Sequence, residues 1–406
     1  MRMGHKYLVH SFAAILCTAV ALRCDEMRKP ETSRHFVAWR DPGSGVVSYA
    51  LQTRVAPQQQ SFYFVNRSMT TDGRFLWFYC VKPPSNTRTM GVVDFKTDQV
   101  RYFPEIRGVG ASPYVDLKTG DLYWTTTRGV FRRSPLEDGT IKQLCGVPAS
   151  FPKVERRLYQ LACHLTRNAS ETKFFLDARI DNQFVCGDMD IATGHYTEWG
   201  RMDVMFNHAQ FSPTDDDMVL ICKEYWNDAV TGKQRVIPTS ADGIYERLWL
   251  WKRDDKPRLV PPINGGRATH EWWGADGTSF YYCAYPKHGI ARYDLKTGEQ
   301  RMITTNRATH AHSSRDDRYF VFDQNLGRWY RGCAWKVFFY SAESDKTVCI
   351  VTHNPAYNTP EKPSSWHPDP HPQFVANDRY IVSTLNIGGA MNVLVTPVAP
   401  LMEAVK

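Results

Sequence analysis

Four histidines, His208, His270, His310 and His371, each open a segment of similar make-up: a few strand-forming residues, an Asp-rich turn, then an aromatic run. The segments read HAQFSPTDDDMVLICKEY (208–225), HEWWGADGTSFYYCAY (270–285), HAHSSRDDRYFVFDQ (310–324) and HPQFVANDRYIVSTL (371–385). Imidazoles at one position of successive repeats gather in space, where they suit a divalent transition metal. One such histidine alone is more often a strand residue bonded to nearby backbone. Four in register, with His312 and His367 close by, favour a shared site. The turn of 270–283 is centred between Asp276 and Gly277, which sets His270 across from Cys283 as a pair of zinc ligands. The ligand set stays open between the imidazoles alone and the imidazoles with Cys283 or Cys333.

The elements that position these residues repeat along the chain. Related segments begin at 66 (NRSMTTDGRFLWFYC), near 110 and near 162, giving seven strand–turn–strand units. Between them lie outer hairpins such as VDFKTDQVRYF (93–103), MDIATGHYTEW (189–199) and YDLKTGEQRMI (293–303). Four strands per unit of roughly 40–60 residues predict an all-β fold, a seven-bladed β-propeller of four-stranded antiparallel blades. Residues 34–56 are strand-like and complete the last blade, so that both ends of the chain close one ring. The insert 226–243 and the Pro-rich stretch 354–370 are the long loops.

In this register the first strands line the central channel and the ends of the second strands emerge at the same mouth as the histidines. That brings Tyr225, Tyr285 and His164 around one cleft, with Arg247 at the start of the third strand of blade four. Each has a plainer reading as a buried tyrosine, or as an arginine paired with Glu246 or another carboxylate.

Composition bounds the function. The chain has 406 residues with 12 Trp, 20 Tyr and 21 Phe, too aromatic for disorder. Its 50 Lys+Arg against 42 Asp+Glu leave a net charge of +8, a mild excess that suits an acidic ligand and gives no further support for nucleic acid. Residues 1–24 have a basic start (Arg2, Lys6) and a short apolar run from Phe12 to Leu22, the pattern of a secretory leader. Residues 25–406 are then one exported domain, periplasmic, secreted or surface-bound, without a membrane span and expected as a monomer. Cys24 admits lipid attachment, although Arg23 before it suits that cleavage poorly. The remaining cysteines lack the dense spacing of a disulfide scaffold and read as buried thiols. No phosphate loop, nucleophile elbow or zinc-protease helix is present, and the repeated Asp residues read as turn formers.

QSFYF and TDGRFLWFYC in blade one, HLT in blade three, NHAQFSP with KEYW and ERLW in blade four, and HEWW in blade five together resemble the seven-bladed propeller polysaccharide lyases. The ulvan lyases look nearest and oligogalacturonate lyase more distant. The resemblance implies β-elimination beside a uronic acid. Its carboxylate must be neutralised, a base must take the C5 proton, and an acid must protonate the departing O4. Carried over, Arg247 is the neutralising arginine, His164 a catalytic histidine, Tyr225 the catalytic tyrosine, and His208 a rival base. Tyr285 is a second tyrosine at the subsite. Lys223, Lys233 and Arg235 are candidates for the acidic, sulfated chain. His270, Cys283, His310, His312 and His371 are the candidate ligands of a divalent metal, zinc first, with manganese or calcium as alternatives. The segment SSWHPDPHPQF departs from the Gln-x-x-His-x-His pattern expected of oligogalacturonate lyases, with Trp366 and Asp369 at two of those places. That departure ranks an ulvan-like polymer ahead of pectin fragments, with a non-catalytic glycan-binding propeller as the further alternative.

Overall fold

Strands such as Phe75–Val81 and Ser279–Tyr285 are apolar at nearly every position and buried along almost their whole length. A strand of this kind needs cover on both faces, which a sheet stacked between two others provides. The computed structural model describes residues 27–85, 87–109, 112–136, 138–151, 158–237, 239–240, 243–285, 289–325, 334–356 and 369–406. In it the chain forms the expected seven-bladed propeller of antiparallel sheets. Blades one to six span residues 58–103, 114–145, 158–202, 206–260, 267–304 and 311–354.

The seventh blade uses both ends of the chain, as the strand-like residues 34–56 predict. Gln373–Val375, Tyr380–Ile387 and Ala390–Pro397 are joined by Val47–Leu51, and Phe36–Arg40 adds a fifth, outermost strand. Tyr49 and Ala50 pair with Val395 and Leu394, and the Ser48 and Thr396 hydroxyls meet at 2.8 Å. Leu51 is fully buried in a cluster with Phe36, Phe78, Val382 and Val395 that joins blade seven to blade one. Leu51→Ala is therefore expected to cost about 2–5 kcal/mol, read as a lower denaturant midpoint. An unchanged midpoint would show that the closure carries little of the stability.

Three features differ from the sequence-based expectation. The inner strand of blade one starts earlier, at Gln58–Gln60, and is split: residues 61–67 leave the ladder before it resumes at the Met69–Leu76 bridge. A seven-residue helix, Val398–Ala404, follows the last strand and buries Val398 and Leu401, too short for its period to show. The insert of blade four forms a small hairpin, Trp226–Asn227 with Gln234–Arg235.

Among the described residues all seven cysteines are free, and Cys80, Cys186, Cys222 and Cys283 are buried within strands. No helix there is long and apolar enough to cross a membrane. The leader 1–24 with Cys24, and also Cys333, Trp366 and His367, lie outside the described residues.

Candidate active site

His208, His270 and His371, on the inner edges of blades four, five and seven, have left-handed backbone, with φ of 57°, 52° and 45°. In blades four and five the ladder slips there, between Asn207 and Gln210 and between Thr269 and Trp272. A bulge re-aims a side chain, and left-handed backbone at a non-glycine residue costs on the order of 1–3 kcal/mol. These backbones aim three imidazoles into the channel. His310 of blade six joins them without positive φ. Asp177 accepts hydrogen bonds from the backbone N–H groups of Cys163 (2.6 Å) and Ala209 (3.2 Å), tying together the segments that carry His164 and His208.

Loop 61–67 threads this ring. The Tyr63 ring stacks on His164 at 4.7 Å and lies 4.8 Å from His371, 5.9 Å from His310 and 6.2 Å from His208. The rings of His164 and His208 are 4.8 Å apart, those of His270 and His310 4.3 Å, and those of His310 and His371 4.4 Å. They line a cavity of about 420 Å³ together with Arg247, and Tyr225 stands on it with 58% of its surface exposed.

Arg247, just ahead of the strand Leu248–Lys252, is buried against two carboxylates. Its guanidinium forms an ion pair with Glu224 and lies 3.7 Å from Glu271. Its Nη2 donates to His208 Nδ1 at 3.3 Å. That nitrogen therefore carries a lone pair already engaged by Arg247, which leaves the other His208 nitrogen as the N–H. His270 has the opposite arrangement. Its Nδ1–H donates to the Thr309 carbonyl, so Nε2 holds the lone pair. Burial, and then the neighbouring His310, Arg247 and His208, pull the His270 pKa well below 6.5. Burial pushes the Tyr63 phenol well above 10.0, with Glu271 and Cys163 adding to it, so Tyr63 is a proton donor rather than a base.

A metal-capable group lies beside them. Ligand atoms of His310, Asp369 and His371 all fall within 4.8 Å of one another. The His310 Nδ1–H donates to the Asp323 carboxylate at 3.0 Å, the partner that orients a metal-binding imidazole and raises its basicity. Burial pulls the His310 pKa down, but the Asp323 charge outweighs it and leaves the pKa raised. Two imidazoles and a carboxylate converging in this way, with the Asp323 carboxylate behind one of them, make a donor set for a divalent cation. The residues present therefore fit such an ion.

Several expected members lie elsewhere. Thr269, not His270, pairs with Cys283, because the bulge shifts the register by one residue. The Cys283 thiol is buried in an apolar cluster with Phe64, Trp272 and Phe320, and burial pushes its pKa well up, which disfavours the thiolate a metal needs. Cys283→Ser should leave manganese and zinc affinity unchanged in titrations of the intact protein, and a clear loss would return the thiol to the ligand set.

His312 faces the opposite mouth, where its Nδ1 accepts from the Phe374 N–H at 3.2 Å. Tyr285 stands behind the wall, its hydroxyl donating to the Ala308 carbonyl at 3.3 Å. Lys223 pairs with Glu246 at 2.6 Å and lies over the Trp249 ring, and Arg235 pairs with Asp228 on the exposed insert beside Lys233. Tyr63, Glu224, Glu271, Asp323 and Asp369 were not among the expected site residues. Tyr63 and Glu271 sit inside the motifs QSFYF and HEWW, and Asp369 stands at an imidazole place of the Gln-x-x-His-x-His pattern.

No protein-family model matches the chain. It is 23% identical over 224 residues to the oligogalacturonate lyase of Dickeya dadantii (strain 3937), a match covering 50% of this chain and 52% of that one. The match thus spans about half the length of that curated relative. Among solved structures, an oligogalacturonate lyase in complex with manganese superposes with a TM-score of 0.71 at 20% identity, over 89% of this chain and 96% of that one. The oligogalacturonate lyase of Vibrio parahaemolyticus gives 0.73 at 18%, over 91% and 98%. The chain is therefore a seven-bladed propeller similar, at low identity, to oligogalacturonate lyases, the alternative that ranks behind the ulvan-like reading on sequence.

Proposed function

We propose that the protein is a carbon–oxygen lyase that cleaves uronate-containing oligosaccharides by β-elimination, with oligogalacturonates as its substrate class. The observation that carries this reading is the meeting of the buried Arg247 guanidinium, a neutral His270 with its lone pair on Nε2, and the His310–Asp369–His371 group in one cavity. In a β-elimination the carboxylate must be neutralised before C5 gives up its proton. Arg247 supplies positive charge there, held in place by Glu224 and Glu271. His270 takes the C5 proton on Nε2. Of the two histidines that the resemblance offered, His208 has its Nδ1 lone pair engaged by Arg247, and His164, stacked on Tyr63 in the same cavity, remains the alternative base. Tyr63, protonated and central, is placed to return a proton to O4. His310, Asp369 and His371 would hold a divalent metal, which when bound would neutralise the substrate carboxylate further. Asp369 replaces one imidazole of the expected pattern yet keeps a donor at that place. Two imidazoles and a carboxylate can hold either manganese or zinc, and with the Cys283 thiol buried in an apolar cluster no thiolate argues for zinc in particular.

Incubation with saturated oligogalacturonates should raise the ultraviolet absorbance of a 4,5-unsaturated uronate, with ulvan and glycosaminoglycans as comparison substrates. A flat trace with all of them, with added manganese and without, would remove the proposal. Tyr225, exposed at the rim, is positioned for a neighbouring sugar rather than the reacting one. Tyr225→Ala should raise KM about tenfold, the equivalent of ~1.4 kcal/mol of binding, while kcat holds. A collapse of kcat would put the phenol at the chemistry.

A further inference from the structure

The channel has a second mouth. The inner strands that present His270 and His310 to one end present Trp272, Trp273 and His312 to the other, where a cavity of about 1050 Å³ opens. Loop 61–67 separates the two, with Tyr63 facing the first cavity and Arg67 the second. Among the described residues, two hydrogen-bonding groups in this second cavity, His312 and Arg67, meet no acceptor. His312 is only 6% exposed, and because its Nδ1 accepts from the Phe374 N–H, its Nε2 must carry the hydrogen. Among the described residues nothing accepts that hydrogen, and no carboxylate lies in ion-pair range of the Arg67 guanidinium. The other arginines of the cavity are occupied: Arg167 by Asp116 and Glu171, Arg315 by Asn377. A guanidinium left without an acceptor in a half-buried place is costly, and burial lowers the Arg67 pKa accordingly, with Asp378 acting against it at longer range.

We propose that this second mouth is a binding site for a hydroxylated monocarboxylate of the sugar-acid class, its carboxylate held by Arg67 and the Nε2–H of His312. The planar guanidinium fork matches a carboxylate. Glu171, Asp276, Asp316 and Asp378 around the opening repel a dianion and can accept hydrogen bonds from hydroxyl groups. A phosphate or sulfate is therefore disfavoured. The site is independent of the chemistry at the first mouth, because none of its residues lines that cavity.

The test is titration of the full chain with D-galacturonate, galactose and inorganic phosphate, followed by the indole N–H resonance of Trp273, which lines only the second cavity. Galacturonate should shift that resonance saturably, with galactose and phosphate at least tenfold weaker. Arg67→Gln should weaken the galacturonate response at least tenfold, and Arg67→Lys, which keeps the charge and loses the fork, should fall between. The Arg67→Gln protein should bind manganese and turn over any first-mouth substrate as the wild type does. Absence of a Trp273 shift, an equal response in Arg67→Gln, or phosphate binding as tightly as galacturonate would each overturn the proposal. Because the readout is binding at Trp273, its failure is distinct from a failure to form unsaturated product.

Discussion

Arg247→Ala is expected to lower elimination about 10²–10³-fold, the cost of removing one donor aimed at developing negative charge, and to destabilise the fold as well. Arg247 is almost fully buried and its charge is met by Glu224 and Glu271. Truncation leaves both carboxylates facing each other without a cation. Breaking a buried pair from one side typically costs about 3–5 kcal/mol, so lost activity in this variant alone would not separate chemistry from folding. The triple variant Arg247→Ala, Glu224→Gln, Glu271→Gln removes the uncompensated charge. Its unfolding midpoint should recover most of the loss, whereas activity should stay at the level of Arg247→Ala. Recovery of both would make Arg247 a structural cation. Recovery of neither would mean that the three residues support the fold by contacts other than charge.

The ring of blades was legible because its signals are local. Apolar runs such as FLWFYCV and SFYYCAY, each preceded by an Asp/Gly turn, define a buried second strand wherever they occur. The closing strand at 47–51 could be read for the same reason. The site was legible only in part, because its geometry depends on departures from regular pairing. His270 and Cys283 were matched by counting outward from the turn, and one extra residue in the bulge moved the thiol to Thr269. In a strand such a shift exchanges the two faces. His310 and His312 share a face, but two residues advance a strand by about 6.6 Å, enough to carry His312 to the other mouth. Tyr63 belongs to a loop that interrupts a strand, where no periodicity applies. Asp323 and Glu271 act on residues of neighbouring strands or blades, a relation that spacing along one chain does not encode.

His270 carries the second large effect. His270→Asn, chosen because asparagine tolerates left-handed backbone, should reduce kcat/KM about 10²–10⁴-fold, the usual contribution of a general base. The pH profile separates a base from a residue that only positions the substrate. A base must be unprotonated, and the His270 pKa lies well below 6.5, first through burial and then through the charges of His310, Arg247 and His208. Activity should therefore rise with pH along a limb centred below 6.5 and be flat above it. The same depression has a stability consequence. In the unfolded chain His270 takes up a proton as pH falls through 6.5, whereas in the folded chain it resists doing so. The stability linked to His270 is complete above 6.5 and is lost as pH falls toward the lower folded value. His312 titrates in the same sense, its pKa also held well down by burial and by Arg67. In His270→Asn the loss of stability as pH falls below 6.5 should be smaller than in the wild type, with His312 still contributing in the same sense, and the acid limb of the residual activity should disappear. If the limb persists unchanged in His270→Asn, another group takes the C5 proton, and His164, stacked on Tyr63 in the same cavity, is the residue to replace next.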